Sequence, residues 1–273
     1  MKLAVATGLM LAGAVIGLLF AGPKAFFPLA FVVILVAQAE FYAAARKAGH
    51  DPATALGVMS GALLLVGVFT KGASAAGLVV FLTLVFSIVW YMTIERRDGL
   101  LTDIALTLFG IVYIPLLGSF AVLLSRACVG PGECPPNGGG LALVMIGAAA
   151  FYDIFAFAGG YKFGKTPLAP SISPKKTREG ALVATVCTLV LATLVAPLLG
   201  PWSPVQALVL GALVCIAAPM GDLVESMIKR DLGLKDIGVI FPGHGGALDR
   251  IDAVLFTGPA VYISLLIAGY IQP

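Results

Sequence analysis

The sequence predicts an all-α polytopic membrane protein: about nine transmembrane helices in one integral membrane domain, with its active site at the cytoplasmic membrane interface. Three observations carry that expectation. Of 273 residues, 60% are hydrophobic and 11% charged, whereas soluble chains average roughly 45–50% apolar and ~25% charged. The apolar residues fall in continuous runs of ~20, the length of helix that crosses the hydrocarbon. The basic residues gather between alternate runs. Disorder is excluded, because disordered chains are poor in apolar residues and rich in charge. A transmembrane barrel is excluded because its strands alternate polar and apolar residues.

The runs fall at 3–22, 25–45, 53–70, 73–93, 103–125, 140–161, 180–199, 204–224 and 251–271. The first follows a lone lysine, as a signal peptide does. It is long for that role and a second run follows at once, so a retained helix is expected. The N-terminal helices occupy 1–125, and a second, C-terminal part spans about 140–273. Two stretches, 162–179 and 225–252, are both long and rich in charge. Cys187 and Cys215 lie inside apolar runs and read as packing residues.

Nine spans place alternate loops on opposite sides. Fourteen basic residues share the side of the N-terminus: Lys2, Arg46, Lys47, Arg96, Arg97, Lys162, Lys165, Lys175, Lys176, Arg178, Lys229, Arg230, Lys235 and Arg250. Three lie opposite: Lys24, Lys71 and Arg126. The positive-inside rule then puts the N-terminus and both charged loops in the cytoplasm, in an inner (cytoplasmic) membrane, and the C-terminus outside. Cys128 and Cys134 fall outside, where a disulfide is chemically permitted. A disulfide and two free thiols fit that loop equally.

Carboxylates near hydrocarbon are costly unless paired, hydrated or protonated, which makes them functional candidates. They are Glu40, Asp103, Asp153, Asp222 and Glu225. Asp103 reads as a favourable charge at the start of its helix. Glu40, with Gln38 nearby, fits either a contact between helices or part of a cavity. At ~100° per residue, Asp222, Glu225, Ser226, Lys229 and Arg230 fall at about 0°, −60°, +40°, −20° and +80°, all on one helix face. Solvated i,i+4 ion pairs would account for the two bases. They account poorly for Asp222, which only Gly221 and apolar residues precede.

Beyond the stripe come Lys235-Asp236 and then Phe241-Pro242-Gly243-His244-Gly245-Gly246. Three glycines around a histidine allow backbone N–H groups to approach an anion closely. Asp249-Arg250-Ile251-Asp252 then enters the last run, with Asp249 and Asp252 three apart on one face. Carboxylates from two helix ends beside basic residues suit a magnesium–polyphosphate site, because Mg²⁺ takes oxygen ligands from carboxylates and substrate phosphates.

The stretch SMIKRDLGLKDIGVIFPGHGGALDRID, Ser226 to Asp252, resembles the signature of the phosphatidate cytidylyltransferases, or CDP-diacylglycerol synthases. It holds that family's serine, Lys-Arg pair, Lys-Asp pair, Pro-x-His-Gly-Gly turn and Asp-Arg-x-Asp ending. The loop GKTPLAPSISPKKTREG is similar to the family's other cytoplasmic block, and Asp153 with Ala156 to its Asp-x-x-Ala segment. Arg178 and Phe155 depart from the pattern, at positions with no evident catalytic group.

The resemblance implies that CTP and phosphatidic acid become CDP-diacylglycerol and pyrophosphate with Mg²⁺, with room for a second cation. Metal ligation is expected of Asp222, Asp249 and Asp252, with Glu225 as a further candidate. Asp222, Asp249, Lys229 and His244 are the expected catalytic residues. Ser226, Arg230, Lys235, Asp236, Arg250, Lys165, Ser173, Lys175, Lys176, Thr177 and Asp153 are expected to bind substrate. His244 fits phosphate orientation or proton transfer, and equally a hydrogen-bonded turn. Membrane lipid and a homodimer are implied partners, and nucleic acid is not. Among rival readings, a transporter explains the spans and intramembrane acids but not the two crowded loops. A polyprenol kinase is another lipid enzyme that uses CTP. A CDP-alcohol phosphatidyltransferase lacks support, since its Asp-Gly-x-x-Ala-Arg opening is missing.

Overall fold

The computed structural model describes residues 12–93, 98–127, 139–238 and 245–271. Helix α1 includes residues 12–20. The following helices are α2 (Pro23–Lys47), α3 (Thr54–Lys71), α4 (Ser74–Met92), α5 (Leu100–Ile111) and α6 (Leu117–Arg126). A π-helical turn, Val112–Leu116, joins α5 to α6 and contains Pro115. Proline has no N–H to donate and crowds the preceding turn, and a π turn absorbs both effects without breaking the span. The chain continues with α7 (Gly139–Phe163), α8 (Arg178–Leu199), α9 (Pro204–Asp231) and α10 (Leu248–Ile267).

Eight spans among the described residues are long and apolar enough to cross a membrane, α5 to α6 counting as one. The protein is an all-α polytopic integral membrane protein. In α4 only 17% of the best apolar window is buried, with Leu78, Phe81, Phe86 and Trp90 all outward-facing. Such a surface has lipid as its natural solvent. The loop after α7 departs from an all-helical picture. There β1 (Pro167–Ala169) and β2 (Ser173–Thr177) pair antiparallel, Pro167 opposite Thr177 and Ala169 opposite Ser173.

The chain divides into two compact units. One comprises Met1–Phe26, Leu124–Ile228 and Asp252–Pro273; the other Phe27–Leu123 and Lys229–Ile251. In the first, α7 and α8 meet backbone to backbone: a Cβ on Gly180 would lie 2.6 Å from the Ala156 carbonyl oxygen and 3.0 Å from Gly160 Cα. Trp202 Nε1 donates to Ser264 Oγ at 3.1 Å, tying the start of α9 to α10.

In the second unit a polar ladder threads the helices. Gln38 Nε2 donates to the Gly57 carbonyl at 3.0 Å and to Tyr42 Oη at 3.2 Å. Tyr42 Oη donates to the Thr107 carbonyl at 2.7 Å. Asp103, in the first turn of α5, accepts the Asp51 N–H at 2.8 Å, so its carboxylate holds the loop between α2 and α3.

Candidate active site

Asp222 and Glu225 lie one turn apart on α9, and Asp252 lies on α10. One oxygen from each of these three carboxylates lies within 4.8 Å of the other two. Gly221 makes this possible. A Cβ there would run into the Asp252 carbonyl oxygen and lie 2.9 Å from Ala253 Cα. The two backbones therefore touch at the residue before Asp222. Glu225 is 2% and Asp252 9% exposed, while about a third of the Asp222 side chain is accessible.

Lys176, on β2, forms an ion pair with Asp222. The hairpin that presents it is fastened at its base. Thr177 caps α8 by accepting the Gly180 N–H at 3.2 Å. Glu179 accepts the N–H groups of Lys165 and Thr166 at 3.0 and 3.1 Å. Asp153, on α7, carries an exposed carboxylate close enough to Asp222, Asp252 and Lys176 to interact with each electrostatically. Three carboxylates and a lysine thus share one centre, with Asp153 near it. The donor set is acidic and all oxygen, which fits a hard cation such as Mg²⁺ and not a thiophilic metal.

A second cluster lies in the other unit. Lys229 Nζ donates to Asp249 Oδ1 at 2.9 Å, both side chains being mostly buried. Gly246 N–H donates to Asp249 Oδ2 at 2.7 Å. Asp249 thus reaches back from the first turn of α10, as capping carboxylates do. Gly245 has φ of 77°, and a Cβ there would lie 2.9 Å from Asp249 Oδ2.

The remaining candidates are placed as follows. Ser226 is half-buried on α9, Arg230 exposed near its end, and Arg250 exposed in the first turn of α10. Lys235 and Asp236 are exposed in the segment after α9. Lys165 and Lys175 are exposed around the hairpin, and Ser173 is half-buried at the start of β2. His244, Cys128 and Cys134 lie outside the described residues.

Glu225 joins Asp222 and Asp252 in the described acidic cluster. Asp249, in the other unit, meets Lys229 and Gly246. Glu225 lies on the predicted stripe, so its part was available from helical spacing. The roles of Gly221 and Glu179 were not read from the sequence. A glycine directly before an intramembrane acid was the one available sign of close helix contact.

Fold and site together define an all-α polytopic membrane protein carrying a carboxylate–lysine centre where α9 and α10 touch. Its sequence matches the profile of the Cytidylyltransferase family over residues 2–268. It is 32% identical over 268 residues to a phosphatidate cytidylyltransferase of Mycobacterium leprae, spanning 92% of this chain and 83% of that protein. A phosphatidate cytidylyltransferase of Synechocystis is 33% identical over 256 residues, covering 85% of each chain. The Mycobacterium bovis protein of that name is 39% identical over 165 residues, 60% of this chain and 51% of the relative. The matched region thus spans about half the length of that protein and of the Mycobacterium tuberculosis proteins of the same name. The chain belongs to the cytidylyltransferase family.

Proposed function

We propose that this protein transfers the cytidylyl group of CTP to phosphatidic acid, yielding CDP-diacylglycerol and pyrophosphate with Mg²⁺. The observation that carries the reading is the convergence of Asp222, Glu225 and Asp252 beside Lys176, in a chain of this family. Its similarity to phosphatidate cytidylyltransferases supports the choice of the two substrates.

A phosphate oxygen of phosphatidic acid attacks the α-phosphorus of CTP as the bond to the departing pyrophosphate breaks. Both reactants are anions, so neutralising charge is the first task. Mg²⁺ held by Asp222, Glu225 and Asp252 would offset triphosphate charge and polarise the α-phosphorus. Lys176 passes from Asp222 to a phosphate as substrate enters. Lys165 and Lys175 draw anionic lipid to the hairpin. The attacking phosphate is already ionised near neutral pH and needs no strong general base. Positioning and electrostatics then supply most of the rate. The signature residues Asp249, Lys229, Arg230 and Lys235 are assigned to metal and phosphate binding by resemblance, with His244 orienting phosphate.

The membrane setting has a chemical reason. One substrate carries two acyl chains, each worth ~0.8 kcal/mol per buried CH₂, and cannot leave the bilayer readily. The other is soluble. The charge distribution favours a site on the cytoplasmic face of the inner membrane. The homodimer implied by the resemblance belongs to the proposal and is checked by light scattering.

The test supplies purified protein with labelled CTP, phosphatidic acid and Mg²⁺ and follows label into the lipid phase. CDP-lipid is the expected product. Phosphorylated polyprenol, or substrate flux into liposomes without CTP turnover, would overturn the reading.

A further inference from the structure

Glu40 is 6% exposed inside α2, and none of the roles above involves it. An intramembrane carboxylate costs several kcal/mol unless matched, so the groups it meets decide its meaning. Its Oε2 accepts the N–H of Leu248 at 3.1 Å, across 208 residues of sequence. Leu248 opens α10, where the first N–H groups lack partners within the helix and a negative charge is favourable. Gly238 and Gly246 press on the same carboxylate so closely that a Cβ on either would collide with it. Three points of the segment from Gly238 to Leu248 therefore meet one side chain.

The chain of contacts continues. Gly246 donates to Asp249, and Asp249 holds Lys229. The opposite side of α2 is itself anchored, through Gln38 and Tyr42, to the Gly57 and Thr107 carbonyls. An apolar side chain at position 40 would fill the space but leave the Leu248 N–H without its acceptor.

We propose that Glu40 is a positioning residue: from α2 it fixes the backbone at Gly238, Gly246 and Leu248, and thereby aims the Asp249–Lys229 pair. It touches no substrate. The inference rests on the reading that Asp249 and Lys229 serve the cytidylyl transfer.

The test compares wild type, Glu40→Ala, Glu40→Gln, Gly246→Ala and the double variant Glu40→Asp/Gly246→Ala, each purified to a single folded species. Hydrogen–deuterium exchange over residues 245–251 is measured beside CTP turnover. Glu40→Ala and Gly246→Ala speed exchange in that segment and lower kcat by about 10²-fold, the cost of ~1 Å misplacement. Glu40→Gln keeps an acceptor oxygen and loses less. Shortening the acid makes room for the new methyl, so the double variant exceeds Gly246→Ala alone. Should Glu40→Ala not fold, Glu40→Gln and Gly246→Ala still decide. Wild-type exchange over 245–251 in those variants, or lost turnover without faster exchange there, would overturn the proposal. Absence of CTP turnover in wild type would sink the cytidylyl reading, and exchange alone would still decide the role of Glu40.

Discussion

Gly221→Ala adds one methyl where α9 touches α10. The new Cβ would run into the Asp252 carbonyl oxygen and stand 2.9 Å from Ala253 Cα. Non-bonded carbons rest at ~3.5–4.0 Å, so the helices must part by ~0.6–1.1 Å at the residue before Asp222. Forcing a methyl into a filled contact costs ~1–3 kcal/mol of stability. The larger effect falls on chemistry: Asp222 and Glu225 move away from Asp252, and ~1 Å of misplacement costs about 10²-fold in rate. The assay is CTP turnover per mole of monodisperse protein, with thermal unfolding measured alongside. Gly147→Ala on α7 is the control, since nothing lies within 4 Å of an added Cβ there, and it leaves turnover at the wild-type level. Turnover of Gly221→Ala within about threefold of wild type, less than ~0.7 kcal/mol of barrier, would refute the claim that this contact assembles the site.

Asp222→Asn and Asp252→Asn each lower turnover by at least ~10²-fold while the protein elutes as wild type, since each removes an oxygen donor of the proposed Mg²⁺ site; near-normal turnover in either counts against the metal assignment. Chelation of divalent ions abolishes CDP-lipid formation and added Mg²⁺ restores it, as measured by label in the lipid phase. Tyr42→Phe strips the buried link to Gln38 and the Thr107 carbonyl. It lowers stability by about 0.6–2 kcal/mol, read as a fall in Tm. Glu179→Ala frees the backbone of Lys165 and Thr166, so limited proteolysis within 165–176 accelerates; an unchanged cleavage rate would show that the hairpin holds without this anchor.

The spans were legible because bilayer thickness imposes one length and one chemistry on every crossing helix. The stripe Asp222–Arg230 was legible for a related reason: α9 runs on to Asp231, so helical spacing held through the polar end. The hairpin at Pro167–Thr177 was not legible. Proline, serine and lysine carry little strand signal, and the pairing is fixed by contacts at its base. Nor was the grouping of Asp222 and Glu225 with Asp252, or of Asp249 with Lys229. Periodicity tells which residues share a face, but which oxygen meets which partner depends on how closely two backbones approach. Gly221 sets that approach on one helix pair, and Gly246 sets it beside Asp249. Glu40 was visible as an anomaly, but its partners lie 208 residues downstream, beyond the reach of any local pattern.

Each unit carries the same device, a lysine closed on an aspartate: Lys176 on Asp222 in one, Lys229 on Asp249 in the other. Isolated, any of these four charges near the hydrocarbon would be costly, and removing one partner of a buried pair is far worse than never having the pair. A site built for triphosphate and divalent cation must be charged when filled and yet stable when empty. For Asp222 and Asp249, pairing with a lysine meets both demands. In the proposed transfer, an entering polyanion would draw the lysine from its aspartate and leave the carboxylate to face the cation that accompanies the phosphate. A site of acids alone would bind cation tightly but repel both substrates, and a site of lysines alone would hold phosphate without activating it.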